Sequence, residues 1–170
     1  VEKVSVDGAG ERGYGVGAFS GATLDLSNAR VEDVTVAGVW GFAATIALDR
    51  VDVRRVTGGK GTVIDAKGNP VGEPLTGLAD GLLATSNASV TVSKMSVSSV
   101  ARAGILFNAS KGSIANVVAS DNAYGLVLQG DPRPTVDASS AFTNNREKDR
   151  LDDAGLSVPN RPPAKPTAPP

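Results

Sequence analysis

The residues of this chain that could do chemistry are almost all aspartates and arginines, because its 170 residues include no histidine and no cysteine. This excludes a Ser-His-Asp triad, a Cys-His pair and zinc sites made of imidazole or thiolate. Carboxylates remain as general acids, bases or cation ligands, and guanidinium groups remain as anion ligands. The candidates at positions expected to face outward are Asp49, Asp52, Arg54, Arg55, Asp80, Arg102 and Asp121.

A repeated apolar pattern must position these residues, and it is clearest between Asp80 and Ala103. After Gly81 and a short apolar run, apolar residues recur with spacings of two, three, two and three, at Val90, Val92, Met95, Val97 and Val100. Alternation indicates a strand, and the extra residue in each step of three lets the chain turn a corner. One coil of a β-solenoid has this pattern, whereas a flat strand or an amphipathic helix does not.

The same five positions recur along the chain, which predicts stacked coils. Two clear copies are Leu24, Leu26, Ala29, Val31 and Val34, and Ile46, Leu48, Val51, Val53 and Val56. A further match is Gly112, Ile114, Val117, Ala119 and Asn122, and a loose one is Pro134, Val136, Ser139, Ala141 and Asn144. At the start of the chain, the second to fifth positions are fitted by Val1, Val4, Val6 and Ala9. The glycines expected to open the coils are Gly15, Gly41, Gly81, Gly104 and Gly125, at intervals of 26, 40, 23 and 21 residues. The interval of 40 predicts an insertion.

We therefore predict an all-β solenoid of about six coils, forming one domain over residues 1–158. Residues 58–79 depart from the repeat and predict an inserted β-hairpin, with residues 62–65 and 70–72 on either side of a turn at 66–69. Residues 146–158 are charged enough for a short helical or irregular cap, which solenoid ends require. The proline-rich residues 159–170 favour an extended tail or linker.

Two segments resemble a known repeat: residues 103–108, Ala-Gly-Ile-Leu-Phe-Asn, and residues 122–128, Asn-Ala-Tyr-Gly-Leu-Val-Leu. They look like coils of the right-handed parallel β-helix, or pectate-lyase-like, superfamily, and the resemblance covers about residues 1–145. Left-handed hexapeptide helices have shorter coils than the 21 to 26 residues found between most of the glycines here. The resemblance implies a right-handed parallel β-helix.

The same resemblance leaves function open, because the superfamily includes polysaccharide lyases, hydrolases, esterases and epimerases together with phage tailspikes, adhesins and noncatalytic surface proteins. Its carbohydrate enzymes use aspartates that bind calcium or act as acid and base, and an arginine or lysine that neutralises or deprotonates a uronic acid. On this chain the weak catalytic candidates are Asp80, Asp121 and Arg102, and calcium is expected only if the chain is a lyase.

Most of the charges also have a structural explanation. In the proposed register Asp7 lies beside Glu32 and Glu32 beside Arg54, and further pairs are Asp33 with Arg55 and Arg30 with Asp52. Opposite charges on neighbouring strands are ordinary cross-strand pairs, each contributing up to about 1 kcal/mol. Asp80 and Asp121 have no obvious partner in this register, but aspartate is common at corners, where it bonds to its own backbone.

A stripe of apolar residues is expected on the outside of the coils. The residues two positions after the opening glycines are Gly17, Ala43, Leu83, Leu106 and Val127, and the last three would form a contiguous outer patch. Such patches are usually covered. The cover is either this chain's own hairpin or the cap around Leu151 and Leu156, or it is a partner such as a second copy. The aromatic residues Tyr14, Trp40 and Tyr124, each before an expected opening glycine, are interpreted as core or corner packing.

These observations favour a noncatalytic structural or binding module of a secreted or cell-surface bacterial protein, binding carbohydrate or acting in adhesion. The alternatives are a fragment of a polysaccharide lyase or hydrolase and a self-assembly module that associates through the stripe or open coil ends. Polysaccharide or another protein chain is the expected partner. The net charge of −1 leaves no basic surface for nucleic acid, and the chain has no apolar run long enough for membrane insertion. No cofactor or metal is expected.

Overall fold

The structure is a computed structural model that describes residues 3–4, 13–61 and 75–162, with side chains from residue 13 to 59 and from 77 to 162. These residues form strands and no helix. The strands are β1 Lys3–Val4, β2 Tyr14–Phe19, β3 Thr23–Val34, β4 Ala37–Phe42, β5 Thr45–Val56, β6 Gly59–Gly61, β7 Leu75–Leu78, β8 Asp80–Thr85, β9 Ser89–Val100, β10 Ala103–Asn108, β11 Lys111–Ala115, β12 Val118–Ser120, β13 Tyr124–Gln129, β14 Thr135–Val136, β15 Ala141–Thr143 and β16 Lys148–Asp152.

Two parallel sheets form a β-solenoid. Sheet A has the order β1-β3-β5-β9-β11-β14, and β12 pairs with both β9 and β15; sheet B has the order β2-β4-β8-β10-β13-β16. Along the chain a strand of sheet B is followed by strands of sheet A before the chain returns to sheet B, so each circuit is one coil. Five full coils are described, close to the six expected, with β1 and β16 as single strands of partial coils at the two ends.

The predicted register is confirmed in the long strands β3, β5 and β9. Leu24 pairs with Ile46 and Ile46 with Val90, and the other four repeat positions pair in the same way through these strands. Their side chains fill the interior of the solenoid, which we call the bore, and from β5 onward they are almost fully buried. The apolar spacing of two and three residues therefore identifies the side chains that line one wall of the bore.

The extra residue in each step of three is a left-handed corner, as the pattern predicted. Two sets of stacked residues have φ between +52° and +60°: Asn28, Arg50, Lys94 and Asn116, and Asp33, Arg55, Ser99, Asp121 and Asn144. A single residue in this conformation turns an extended chain without ending its pairing with the neighbouring coil. Asparagine and aspartate tolerate it best among residues with a side chain, which explains why they recur there.

The register differs from the prediction in three places. Gly38, not Gly41, stacks on Gly81, because Val39 pairs with Leu82 and Gly41 with Ala84. The corner between the opening glycine and Ile46 is therefore not compressed, and the glycine interval that contains the insertion is 43 residues and not 40.

Near the two ends of the described chain the stacking also slips. Val136 pairs with Ile114 as predicted, but Ala119 pairs with Phe142 and not with Ala141, so the second half of the last loosely matched coil is displaced by one residue. At the other end Val4 pairs with Val31 instead of Ala29, while Val1, Val6 and Ala9 lie outside the described residues. In both places the apolar pattern is weakest, so it constrains the register least.

The insertion and the cap are built from strands. β6 and β7 pair antiparallel, Gly61 with Leu75, and form the base of the inserted hairpin; the arms and turn predicted at residues 62–72 lie outside the described residues. The cap expected as helical or irregular over residues 146–158 contains no helix and includes a strand, because β16 continues sheet B in parallel beside β13. Residues 153–162 then run without regular secondary structure.

Replacing Val97 with aspartate should unfold the solenoid. Val97 is 1% exposed and faces the bore, where a carboxylate would be desolvated without a partner, at a cost of several kcal/mol. The matched control is Ser98→Asp, which puts the same carboxylate on the outer face opposite Arg54. Thermal unfolding followed by circular dichroism should show a large drop in melting temperature for Val97→Asp alone, and equal effects of the two changes would contradict the register.

Candidate functional site

Asp80 and Arg102, two of the catalytic candidates, form a buried ion pair. Asp80 begins β8 and is completely buried, and Arg102 lies one coil further on, immediately before β10, with its side chain 12% exposed. Arg102 Nε donates to Asp80 Oδ1 at 2.8 Å and Arg102 Nη2 donates to Oδ2. The Ala103 backbone N–H donates to Oδ1 at 3.3 Å. The expectation that Asp80 lacks a partner is therefore wrong.

The electrostatics of this pair are those of a structural contact. Burial raises the pKa of Asp80, and the hydrogen bonds and charge of Arg102 together with the Ala103 N–H oppose that effect. Arginine remains charged at physiological pH, so it compensates the buried carboxylate. With both carboxylate oxygens occupied and no surface exposed, Asp80 has no access to a substrate.

Arg102 also joins the solenoid to a segment that we call the strap, residues 154–159. Arg102 Nη1 donates to the Ser157 carbonyl oxygen at 2.6 Å. Gln129, 6% exposed at the end of β13, donates through Nε2 to the Leu156 carbonyl at 2.8 Å and accepts from the Leu156 N–H at 3.2 Å. The strap is thus held by its backbone at two neighbouring residues.

The strap lies over the predicted apolar stripe. Leu83, Leu106 and Val127 are each 0% exposed and belong to a second apolar cluster on the outer face of sheet B, separate from the bore. Leu156 and Val158 of the strap pack against this cluster, as do Ala154 and Leu151. Of the three covers considered, the chain's own segment around Leu151 and Leu156 is in place, and Leu78 at the base of the inserted hairpin belongs to the same cluster. Residues 62–72 of the hairpin lie outside the described residues.

The stripe also contains an aromatic residue that the sequence register misplaced. Trp40, not Ala43, stacks beside Leu83, and Gly17 stacks beside Trp40. Trp40, Tyr14 and Phe19 make edge-to-face contacts with ring centroids 5.4–5.9 Å apart. Tyr124 also packs against the outer cluster. The aromatic residues accordingly pack within the chain, as interpreted from the sequence, and do not form a row along the solenoid.

Asp121, the third catalytic candidate, is an exposed corner residue. It has φ +60° and accepts a hydrogen bond from Ser120 Oγ at 3.2 Å. Asp121 is exposed and follows β12, whereas Asp80 is fully buried, so the two carboxylates do not face one accessible site.

Ion pairs across and along the strands account for most of the charges on β3 and β5. Arg30 Nε lies 3.1 Å from Asp52 Oδ2 and Arg55 Nε lies 2.6 Å from Asp33 Oδ1, as predicted. Glu32 stacks beside Arg54 but pairs with Arg55 at 2.8 Å, while Arg54 turns to Asp52. Asp7 lies outside the described residues.

Asp52 is the centre of this network. Partial burial raises its pKa, but hydrogen bonds from Arg54, Ser96 and Arg30 and the charge of Arg54 outweigh that effect, so its pKa is lowered. A carboxylate stabilised in this way is a poor proton donor or acceptor near neutral pH.

Among the described residues, the outer face of sheet A carries an open groove of about 390 Å³ that is available to a ligand. The lining residues come from three adjacent strands: Asp25, Leu26, Ser27, Ala47, Leu48, Asp49, Thr91 and Ser93. In the strand register Ala47 lies between Asp25 and Thr91, and Asp49 lies between Ser27 and Ser93. The small Ala47 side chain leaves a notch between polar neighbours.

Residues with carboxylates and hydroxyls line the groove at the spacing of strands in a sheet, about 4.8 Å, while most of its exposed surface is apolar. Asp49 is paired with Arg50 at 2.6 Å, which partly neutralises one carboxylate. Sequence reasoning identified Asp49 as outward but missed Asp25, Ala47 and Thr91, although the alternation of β3, β5 and β9 placed all three on the same face. The alternation alone does not show which part of this outer face forms a groove.

In the described ranges, no group of three or more His, Cys, Asp or Glu side chains is arranged to hold a metal ion. These ranges also contain no helix long and apolar enough to span a membrane. No protein-family model, curated protein or solved structure matched the chain.

Breaking the buried pair should destabilise the protein. Arg102→Met leaves Asp80 buried without its counter-charge, and the unfolding free energy should fall by about 3–5 kcal/mol. Adding Asp80→Asn removes that charge but keeps an acceptor for the Ala103 N–H, so the double variant should recover part of the loss. Urea unfolding of the single and double variants measures this; additive effects would show that the two side chains do not interact.

Proposed function

We propose that this chain is a noncatalytic binding module that recognises a neutral polysaccharide in the groove on sheet A. The observation that carries the proposal is the groove itself, where two aspartates and three hydroxyl side chains surround the notch at Ala47. Carboxylates and hydroxyls are suitable partners for sugar hydroxyls, since they accept or donate hydrogen bonds in several directions. The long strands beneath are buried on their other face and hold these side chains rigidly.

The charge of the groove favours a neutral ligand over an acidic one. The exposed carboxylate of Asp25, together with that of Asp49, would repel the uronic acids of an acidic polymer. No aromatic side chain lines the groove, so the stacking that strengthens many sugar sites does not contribute. We therefore expect weak binding at each site, suited to a repetitive chain that several copies contact together.

We further propose that the module belongs to the right-handed, pectate-lyase-like group of β-helices and works outside the cell, at a bacterial surface. The support for this is the resemblance of residues 103–108 and 122–128 to the repeat of that superfamily, together with the parallel solenoid architecture. A lyase or hydrolase remains the second candidate from the same resemblance, and activity measurements separate the two.

Filling the notch should abolish binding. Ala47→Phe places a ring in the groove at an outward strand position that tolerates aromatic residues, and it should weaken retention by a neutral polysaccharide at least tenfold. Affinity electrophoresis in gels containing dextran, galactomannan, xyloglucan or polygalacturonate measures this. Ser98→Phe, outward on β9 but away from the groove, is the control and should bind normally. Retention by no neutral polymer, or equal retention of the two variants, would refute the proposal.

The chain should not cleave polygalacturonate, with or without added calcium. Asp80 is buried and paired with Arg102, so it cannot face a substrate together with the exposed Asp121. Ultraviolet absorbance of unsaturated products, compared with heat-denatured protein, tests this. Products above background that disappear in Asp121→Asn, an exposed change expected to leave the fold intact, would support the lyase instead.

A further inference from the structure

The strap binds sheet B in the way that an extended peptide binds a groove. Ala154, Leu156 and Val158 pack toward the outer apolar cluster, whereas Gly155 and Ser157 between them are exposed. This alternation with a period of two is that of a strand, although the strap is not hydrogen-bonded to sheet B as a strand. The segment therefore presents one apolar edge and one polar edge.

Two side chains of the solenoid bind the backbone of the strap. Gln129 bonds both the N–H and the carbonyl of Leu156, and Arg102 bonds the carbonyl of Ser157. Recognition of an extended peptide commonly combines main-chain hydrogen bonds, which give affinity, with pockets for alternate side chains, which give specificity. Sheet B supplies both, because Leu83, Leu106 and Val127 form the apolar floor.

The chain is anchored at Asp153, directly after β16, and is free of close contacts two residues later. The Asp153 N–H donates to the Leu128 carbonyl at 2.8 Å, and its carboxylate pairs with Arg133. A Cβ added to Gly155 would meet nothing within 4 Å. Rotation at Gly155 would move the rest of the strap away without disturbing the bore, which the strap does not touch.

We propose that the outer face of sheet B, between Arg102 and Gln129, is a peptide-docking groove, and that a second copy of this chain inserts its residues 154–159 there by exchange. A second copy is the partner that fits, because its strap has the same apolar alternation and the same backbone groups. Exchange of an identical element needs no new contact and produces dimers. The tethered strap competes at an effective concentration of order mM, so exchange requires concentrated protein or a damaged internal contact.

Two complementary variants test the exchange. The strap variant, Leu156→Ser with Val158→Ser, has an intact groove and a weakened strap. The groove variant, Gln129→Ala, has an intact strap and loses both hydrogen bonds to Leu156. In a heterodimer the intact strap of the groove variant can occupy the intact groove of the strap variant and restore the native contact. Native mass spectrometry of the mixture, with one variant isotopically labelled, should show at least tenfold more heterodimer than either homodimer.

The control replaces the strap variant with Ser157→Ala, whose exposed side chain is changed while the bonded carbonyl is kept. Its groove stays filled by its own strap, so it should form little heterodimer with the groove variant. Equal heterodimer in the control and the test mixture would overturn the proposal, as would the absence of any dimer. Circular dichroism of the strap variant gives an independent check, because its unfolding would mean that the strap is an integral part of the core and not an exchangeable ligand.

Discussion

The structure depends on the fact that the central strands of sheet B are buried on both faces. β8 is buried at all six residues, and β10 at five of six. One face lines the bore, and the other would be exposed to water in a bare solenoid. Parallel sheets are stable when both faces are covered, and they then have nearly continuous apolar sequences. The second cover is the strap, so residues 154–159 complete the fold.

The Asp80–Arg102 pair connects these layers. It joins β8 to the corner before β10, and Arg102 continues to the strap through Ser157. Because a buried charge without its partner is costly, these two side chains must stay together, and their contact keeps two coils and the strap in one arrangement. Asp80 and Arg102 are residue types that occur in catalytic sites, but here they have a structural role inside the protein.

Sheet A has the opposite character, and this determines where a ligand can bind. In β9 each buried residue is followed by a more exposed one, so the outer face is polar while the inner face lines the bore. The first coils use this face for ion pairs such as Arg30–Asp52, and the groove at Asp25 and Asp49 lies on the same sheet. Sheet B needs a cover because its central strands are apolar on both faces. Sheet A stays open because its strands are apolar only on the face that lines the bore.

The sequence by itself determined the coil: the two-and-three spacing placed Leu48, Val92 and their equivalents in the bore and Arg30 beside Asp52. It could do so because side-chain direction in a strand is a local property with a period of two. Only the tertiary structure decided that Arg102 neutralises Asp80, that the strap covers Leu83 and Leu106, and that Phe142 replaces Ala141 in the last stack. These contacts join residues that are 22 to more than 70 positions apart and are separated by corners of unequal length. Local periodicity does not encode which distant segment covers an outward apolar surface.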